Sequence, residues 1–323
     1  MFRMTDSAFD PRLIPDDATI TRWTARDGWE HRSFRWPVAT GRVRGTILFM
    51  GGRGDFFEKY LEAFDHFHRR GWHVESFDWR GQGGSGRLAA RCDVGHTTRF
   101  ADWTGDLADY VADLSARAPG PLVVIGHSMG GHLVLRALAE RALPVAAAVL
   151  VAPMIGFADS LPNWLGRLVA RVAARVVGPE QRMWKVSEKP FSPLAKRMGL
   201  LTHSRERYAD EQYFWETQPE LKLGPASWGW IAAAYDSFVW LAKPGRIEAI
   251  GVPVLILSAS ADGLVSPAAT RALAKRLPRA RLVEFGDEAA HELLRETDDV
   301  RLRALGAIEA LLDEAAAKEP AGT

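Results

Sequence analysis

The sequence predicts an α/β fold: a mostly parallel, doubly wound sheet with an inserted, mainly helical cap. Apolar, strand-like runs alternate with helical patterns over residues 45–152 and again over 253–317, and such alternation calls for a parallel sheet covered on both faces. Between these two stretches the alternation stops. We therefore expect a sheet domain formed by residues 1–152 and 242–323, with residues 153–241 inserted as a cap over the carboxyl edge of the sheet.

Composition and charge narrow the class of protein. The chain has 323 residues, of which 47% are hydrophobic, enough for a large packed core. A formal net charge of +1, with no arginine-rich or zinc-spaced segment, gives no reason to expect nucleic acid as a partner. A single cysteine excludes an intrachain disulfide, residues 1–10 lack the apolar core of a leader peptide, and no apolar stretch approaches membrane-spanning length. We expect a cytoplasmic protein; its oligomeric state is left open.

The N-terminal half supplies the first strands and helices. Three strand-like runs come first, and the last of them, Gly45–Met50, ends abruptly at a glycine-rich turn that begins with Gly51. Aromatic and apolar side chains at helical spacing predict a helix over 56–70. A strand around 74–77 and a second helix over 100–114 follow.

The C-terminal half continues the alternation. An apolar run predicts a strand over 145–152, before the cap. After the cap come a strand at 253–258, a helix beginning after Pro267, a strand at 281–285 and a last helix that runs to about Ala317. These elements complete the sheet and its helical layers.

Residues 121–131, which read Pro-Leu-Val-Val-Ile-Gly-His-Ser-Met-Gly-Gly, have the pattern of a nucleophile elbow. A β-branched strand runs into Gly126, and Ser128 is followed by Gly130 and then by leucines at helical spacing. Glycines two positions either side of the serine fit a sharp strand-to-helix turn, because a Cβ there would have no room. The pattern predicts Ser128 as the nucleophile of a serine hydrolase. The alternative is an ordinary serine in a glycine-bounded turn.

A catalytic serine needs a histidine as base and a carboxylate that holds the tautomer of that histidine. In folds with this elbow the chain order is serine, acid, histidine. Beyond the helix that follows the serine lie His203 and His291, and His203 falls in the predicted cap, so His291 is predicted as the base. The loop after strand 253–258 offers Asp262 as the acid, with Asp287 as second choice. The alternatives are a turn aspartate and a solvated histidine at these positions.

Acyl transfer also needs N–H donors aimed at the developing oxyanion. The backbone N–H of Met129, directly after the nucleophile, is the first expected donor. The second should come from the loop after the third strand. There we expect the backbone N–H of Arg53, since the neighbouring glycines let the backbone approach a substrate closely. The alternative is a plain glycine-rich turn.

Two other patterns superficially resemble cofactor or metal sites. Gly81, Gly83 and Gly86 formally match a dinucleotide-binding fingerprint, but no helix opens promptly after them, so this stretch is interpreted as a turn-rich loop. His66 and His68 are two positions apart on a predicted helix and point to different sides, as packing or solvated histidines do. We expect neither a cofactor nor a metal.

Four motifs of the chain, the elbow among them, together resemble those of a known enzyme family. They are Gly52-Arg53-Gly54-Asp55 with Glu58-Lys59-Tyr60, Asp78-Trp79-Arg80-Gly81-Gln82-Gly83-Gly84-Ser85-Gly86-Arg87, Gly126-His127-Ser128-Met129-Gly130-Gly131 and Ala290-His291-Glu292-Leu293-Leu294. With these motifs the sequence resembles α/β-hydrolases of the monoglyceride lipase and bacterial lysophospholipase type, also grouped with serine aminopeptidase-like hydrolases. Many relatives have His-Gly where this chain has Gly51-Gly52. In the cap, Leu201-Thr202-His203-Ser204-Arg205-Glu206-Arg207 and Pro219-Glu220-Leu221-Lys222-Leu223-Gly224 resemble the lysophospholipase branch.

The resemblance implies an α/β-hydrolase fold and attack by Ser128 on a carboxylic ester, followed by release of the acyl group by a water that His291 activates. It implies a single-chain lipid as substrate, either a lysophospholipid or a monoacylglycerol. The alternatives are a carboxylesterase or peptidase of small substrates, an acyltransferase that uses the same acyl-enzyme, and a catalytically silent receptor with a hydrolase fold. The presence of all three triad residue types in the required order argues against the silent receptor.

The predicted cap contains a basic, tryptophan-rich stretch, with half of the 12 tryptophans between residues 160 and 240. A helix over 163–177 would place arginines on one face and apolar side chains mostly opposite: Arg167, Arg171 and Arg175 against Leu165, Leu168, Val169, Val172 and Val176. More basic residues follow, namely Arg182, Lys185, Lys189, Lys196 and Arg197. One interpretation is peripheral contact of the cap with an anionic membrane. The other is a helix that packs its apolar face on the sheet domain and leaves its arginines in water.

Overall fold

The structure, a computed structural model, describes residues 9–158, 161–184 and 196–318. Its centre is an eight-stranded sheet in the order β1-β2-β4-β3-β5-β6-β7-β8. The strands are β1 (Thr19–Thr24), β2 (Glu30–Trp36), β3 (Gly45–Met50), β4 (Trp72–Phe77), β5 (Leu122–His127), β6 (Ala147–Val151), β7 (Val254–Ala259) and β8 (Ala280–Phe285). The pairs β1/β2 and β2/β4 are antiparallel and the other neighbours are parallel, which confirms the predicted mostly parallel sheet.

The central strands are buried on both faces, and their sequences explain why. Every residue of β3, β5, β6 and β7 is buried, and each of these strands reads as a near-continuous apolar run. At one edge, β1 is exposed along most of its length and is correspondingly polar. The strands β3 and β5 are neighbours although β4 comes between them in sequence, so the chain reverses its direction across the sheet at this point. Open α/β sheets place their sites at such a reversal.

Helices cover both faces of the sheet. In the described parts of the chain the α-helices are α1 (Leu61–His68), α2 (Phe100–Arg117), α3 (Met129–Glu140), α4 (Asn163–Val176), α5 (Arg197–Leu201), α6 (Arg205–Thr217), α7 (Trp228–Ala242), α8 (Pro267–Arg276) and α9 (Asp298–Lys318). Leu48 and Val124 pack with α2, α3 and α8, whereas their neighbours Phe49 and Ile125 pack with α1 and α9. Successive side chains of one strand thus enter two different cores, and the doubly wound arrangement is confirmed.

The predicted elements outside the cap are present, with small differences at their ends. The helix predicted over 56–70 begins as a single 3₁₀ turn, Phe57–Tyr60, before α1 starts. The helix predicted over 100–114 continues to Arg117. At the C-terminus α9 runs to Lys318, and the residues after it lie outside the described part of the chain.

The stretch between β6 and β7, predicted as the cap, contains α4 to α7. Helix α7 is anchored in the sheet domain, because Trp230, Ala234 and Phe238 belong to the same hydrophobic core as α2 and α3. The segment of α5 and α6 lies against the loop after β8, where the N–H of Glu292 donates to the carbonyl oxygen of Leu201 at 2.8 Å. The boundaries of the cap at 153 and 241 stay a prediction.

Helix α4 turns its small residues inward. Gly166 and Ala170 are its buried residues, and a Cβ added to Gly166 would overlap the ring of Tyr235 in α7. The two helices therefore approach closely. Arg167 and Arg171 lie beside this contact, and both pair with Asp236 of α7.

The large apolar side chains around α4 point to solvent. Those exposed are Leu161, Trp164, Leu168, Val169, Val172, Val176 and Val177, with Trp164 at 68% and Val176 at 78% exposure. The expectation that α4 packs its apolar face on the sheet domain is therefore wrong, although Arg171 and Arg175 are exposed to water as that interpretation expected. Small residues and ion pairs make the packed face instead. Among the described residues, no helix is long and apolar enough to span a membrane.

Candidate active site

Ser128 lies on a strained turn between β5 and α3. Its backbone has φ +52° and ψ −116°, which a residue with a side chain rarely adopts. Gly126 and Gly130 make the turn possible. A Cβ on Gly126 would lie 2.7 Å from the backbone of Gly130, and a Cβ on Gly130 would overlap the carbonyl oxygen of Met50. The turn holds the Ser128 side chain at the carboxyl edge of the sheet.

Three side chains from distant parts of the sequence meet at this turn. His291 Nε2 lies 2.8 Å from Ser128 Oγ, and His291 Nδ1 lies 2.7 Å from Asp262 Oδ2. Asp262 follows β7 and His291 follows β8, so both residues are on loops at the edge of the sheet that carries the elbow. The other carboxylate oxygen, Asp262 Oδ1, accepts the N–H groups of Leu264 and Val265 at 2.8 and 3.0 Å. These two bonds orient the carboxylate toward His291.

Burial and charge act in opposite directions on this pair. Burial alone would lower the pKa of His291, but the charge and hydrogen bond of Asp262, together with the charges of Glu292 and Asp55, raise that pKa above its usual 6.5. Burial would raise the pKa of Asp262, yet His291 and the two loop amides keep it below its usual 3.8. The neighbouring His127 differs, because burial lowers its pKa to about 4. An ionised aspartate therefore faces a histidine that readily accepts a proton.

The first expected oxyanion donor, Met129, is the first residue of α3. The first N–H groups of an α-helix find their acceptors outside the helix, and an oxyanion formed beside Ser128 would be such an acceptor. The role of Met129 stays a prediction.

The second expected donor, Arg53, lies in the loop after β3 and lines the cavity described below. The amides on either side of it are held by side chains. Gly52 N–H donates to Asp55 Oδ2 at 2.6 Å, and Gly54 N–H donates to Gln82 Oε1 at 2.7 Å. These bonds set the path of the loop beside Ser128, and the role of the Arg53 amide stays a prediction.

The second-choice acid, Asp287, and the other histidine, His203, have surroundings that differ from those of Asp262 and His291. Asp287 is exposed on the loop after β8. His203 Nδ1 lies 3.0 Å from a carboxylate oxygen of Glu296, and its side chain is nearly half exposed. The structure thus brings Asp262 and His291 to the elbow, in the order that sequence reasoning proposed.

The glycine-rich stretch after β4 is a loop, and the two histidines of α1 contact neighbouring elements. Residues 80–99 contain no helix, as expected for a turn-rich loop. His66 Nε2 lies 2.6 Å from Glu309, and the His68 ring stacks on Trp36 with centroids 4.1 Å apart. Both histidines therefore pack against neighbouring elements.

A cavity of about 510 Å³ opens at Ser128. Part of its wall is apolar and includes Met154, Phe157, Leu161, Met183, Trp230, Ile231, Leu264 and Val265. Another part is charged and includes Asp55, Lys59, Arg197, Glu211 and Glu292. The volume is in the range of small-molecule sites. The two kinds of wall suit a ligand with an apolar chain and a polar end.

Sequence reasoning missed an ionic cluster in the cavity wall, formed by Asp55, Lys59, Glu211 and Glu292. Lys59 Nζ donates to Asp55 Oδ1 at 2.7 Å and to Glu292 Oε1 at 2.6 Å, and it lies 3.0 Å from Glu211 Oε1. Oxygens of the three acids lie within 4.8 Å of one another, close enough to hold a metal ion, but Lys59 already places a cation among them. The spacing of Asp55 and Lys59, four positions apart, is the one local signal of this cluster.

The chain is similar to a family profile and to two known enzymes. The profile described as "Serine aminopeptidase, S33" matches residues 41–298. Lysophospholipase L2 of Escherichia coli (strain K12) is 31% identical over 274 residues, which cover 81% of this chain and 78% of that protein. Monoglyceride lipase of Saccharomyces cerevisiae is 32% identical over 113 residues, which cover 34% of this chain and 35% of that protein.

Solved structures show the same fold. A soluble variant of monoglyceride lipase from Saccharomyces cerevisiae, in complex with a substrate analog, has a TM-score of 0.76 at 19% identity, covering 95% of this chain and 98% of that chain. Monoacylglycerol lipase of Paleococcus ferrophilus has a TM-score of 0.68 at 21% identity, covering 90% and 100%. Given the extent of the profile match and the identity to the Escherichia coli relative, the chain belongs to the serine aminopeptidase, S33, family of α/β-hydrolases and is a serine ester hydrolase.

Proposed function

We propose that the protein hydrolyses the carboxylic ester of a single-chain lipid, a lysophospholipid or a monoacylglycerol, through an acyl-enzyme. The observation that carries this proposal is the position of Ser128, hydrogen-bonded to His291 in the wall of a cavity that is apolar in one part and charged in another. The names of the relatives, lysophospholipase L2 and monoglyceride lipase, support the same substrate class.

The proposed first step acylates the serine. Ser128 Oγ attacks the ester carbonyl carbon while His291 Nε2 takes the hydroxyl proton, and Asp262 stabilises the resulting imidazolium. The N–H groups of Met129 and Arg53 stabilise the oxyanion. When the tetrahedral intermediate collapses, the ester C–O bond breaks and His291 returns the proton to the leaving oxygen. The alcohol departs, and the acyl group stays on the serine.

The proposed second step releases the acyl group. A water loses a proton to His291 Nε2 as its oxygen attacks the acyl carbon. Collapse of this second intermediate breaks the bond to Ser128 Oγ, which takes the proton back from His291. The products are the free serine and the carboxylic acid.

The apolar wall of the cavity predicts a preference for longer acyl chains. Burying one methylene contributes about 0.8 kcal/mol, which corresponds to about a fourfold increase in kcat/KM. With p-nitrophenyl esters we expect this increase per carbon from acetyl toward octanoyl, until the wall is filled. Release of fatty acid from lysophosphatidylcholine or monooleoylglycerol in detergent would then identify the head group that is accepted.

Other outcomes would point to the alternatives. A preference for acetyl over octanoyl esters would reject the lipid substrate and favour a carboxylesterase or peptidase of small substrates. Formation of a new ester with an added alcohol, at the expense of the free acid, would indicate an acyltransferase. Failure of a fluorophosphonate probe to label the wild-type protein would favour a silent receptor; Ser128→Ala is the matched control that must not be labelled.

We further propose that the cap contacts anionic membranes through the exposed apolar face of α4. The sequence of α4 contains no acidic residue, and Arg175 lies exposed among its apolar side chains. Leu161, just before α4, is exposed and also lines the cavity, so this surface adjoins the route to Ser128. Large apolar area flanked by basic side chains favours the surface of an anionic bilayer. Lys185 and Lys189 of the basic stretch lie outside the described residues.

Vesicle sedimentation tests this contact. We expect wild-type protein to bind phosphatidylglycerol-containing vesicles more strongly than phosphatidylcholine vesicles at low salt. The double variant Leu168→Ser/Val172→Ser should lose most of this binding. Leu302→Ser on α9 is the matched control, because Leu302 is exposed to 56% and Leu168 to 54%. Lack of wild-type binding would refute the contact, and equal binding to both kinds of vesicle would remove the basic contribution.

A further inference from the structure

The ionic cluster in the cavity wall is buried and balanced in charge. The side chain of Lys59 is 3% exposed, and three carboxylates around one ammonium group match its three N–H donors in number. Two arginines complete the balance: Arg197 pairs with Glu211 at 2.7 Å, and Arg295 pairs with Glu292. The negative charges of the three carboxylates are therefore matched by three positive charges.

Each acid of the cluster belongs to a different part of the site. Asp55 accepts the N–H of Gly52, one residue before the predicted oxyanion donor of that loop. Glu292 directly follows the catalytic candidate His291 in sequence. Glu211 lies on α6, in the predicted cap. Lys59 is the group that all three contact.

We propose that Lys59 is a positioning residue, which holds three segments in one arrangement. They are the loop after β3 that contains Gly52 and Arg53 (the oxyanion loop), the loop after β8 that contains His291 (the His291 loop), and α6. This inference rests on the proposed function, because it concerns the geometry of that reaction. Lys59 acts through Asp55 and Glu292, and takes no part in the proton transfers. The backbone supports the same connection, since the N–H of Glu292 donates to Leu201 in α5.

Loss of the ammonium group would disturb both loops. Without it, the buried carboxylates would repel one another and would separate, take up a proton or recruit a cation. Separation would move Asp55 or Glu292, and with them the oxyanion loop or His291, whereas a proton or a cation would replace the hydrogen bonds by which Lys59 holds both side chains. A misplacement of about 1 Å in a catalytic site can lower the rate about 100-fold.

Lys59→Met tests the proposal, because methionine has a similar length and no charge. We expect kcat for an octanoyl ester and the rate of fluorophosphonate labelling to fall by about 100-fold, with KM changed less than about threefold. The matched control is Arg117→Met. Arg117 is the partner, at 2.6 Å, of Glu75, a carboxylate that is 4% exposed on β4. This control should lower Tm and leave the labelling rate of the folded protein within about twofold of wild type.

Chemical rescue separates the role of the charge from a merely structural one. Lys59→Ala removes the ammonium group with three methylenes, and propylammonium replaces what is lost. We expect propylammonium to accelerate labelling of Lys59→Ala by at least about tenfold, and tetramethylammonium at the same concentration to have no such effect. Labelling is the readout because it needs no deacylation, so the amine cannot act as an acyl acceptor.

The outcomes distinguish this proposal from the proposed function. Lack of ester turnover by wild-type protein would count against the function itself. With wild type active, labelling of folded Lys59→Met at the wild-type rate would overturn the positioning role, as would failure of rescue. If Lys59→Met does not fold, Glu211→Gln provides the test, because it keeps Lys59 and removes the negative charge that α6 contributes to the ionic cluster. A labelling rate for Glu211→Gln within about twofold of wild type would then overturn the proposal.

Discussion

Asp262→Asn tests whether Asp262 is the acid of the proposed triad, with a minimal change of shape. In the structure Asp262 Oδ1 accepts two backbone amides, and Oδ2 faces His291 Nδ1 at 2.7 Å. Asparagine keeps an oxygen for the amides and therefore turns its NH₂ group toward His291. Two donors cannot bond to each other, so His291 must carry its proton on Nε2, where it faces Ser128. In that tautomer the histidine cannot accept the serine proton.

The expected loss follows from this geometry. The same change in a Ser-His-Asp protease lowers kcat about 10⁴-fold, which corresponds to about 5 kcal/mol of transition-state stabilisation. A shift in pH dependence should accompany it. Asp262 is the strongest influence that raises the pKa of His291 against burial, while Glu292 and Asp55 raise it less. Its removal should therefore lower that pKa.

The sign of the pH effect follows from the proposed role of His291 as a base. The base must be neutral, so kcat/KM falls as pH drops through the pKa of His291. In wild type this acid limb should lie above pH 6.5, since the pKa is raised from that value, and in Asp262→Asn it should lie at lower pH.

The assay is kcat/KM for an octanoyl ester between about pH 5 and about pH 9, with circular dichroism to show that the variant is folded. Asp287→Asn is the matched control and should keep wild-type activity, because Asp287 is exposed. Retention of more than about a tenth of wild-type kcat by Asp262→Asn would refute the acid assignment. An acid limb that stays in place would refute the electrostatic reasoning.

Three further results are expected from the same geometry. Ser128→Ala and His291→Ala should each lower turnover by at least about a thousandfold in initial-rate assays, with Tm close to wild type. Gly130→Ala should lower the free energy of unfolding by about 1–3 kcal/mol and also reduce kcat, because the new Cβ would overlap the carbonyl oxygen of Met50; an unchanged denaturation midpoint would contradict this. Gly166→Leu should lower Tm by separating α4 from α7, and an unchanged Tm would show that the close approach of the two helices is unimportant.

Much of the fold was predictable because its signals are local. The runs that became β3, β5 and β7 are continuous and apolar, as strands buried on both faces must be. The elbow was predictable for a similar reason, since the turn at Ser128 leaves no room for a Cβ on Gly126 or Gly130.

The orientation of α4 could not be predicted from the local sequence. Its amphipathic pattern was visible in the sequence, but the pattern alone does not say which face is buried. Gly166 and Ala170 decide this, because their small size lets α4 approach α7 and the arginines reach Asp236. The large side chains are then left in solvent.

The sequence by itself determined the order of strands and helices outside the predicted cap, the candidate nucleophile and the loops that supply its candidate partners, because hydrophobic period, glycine positions and chain order are properties of neighbouring residues. Only the tertiary structure decided that Asp262 and not Asp287 contacts His291, and that Lys59 contacts the carboxylates of residues 55, 211 and 292. The physical reason is that such contacts join residues separated by long stretches of chain. Their geometry exists only once the sheet brings its loops to one edge.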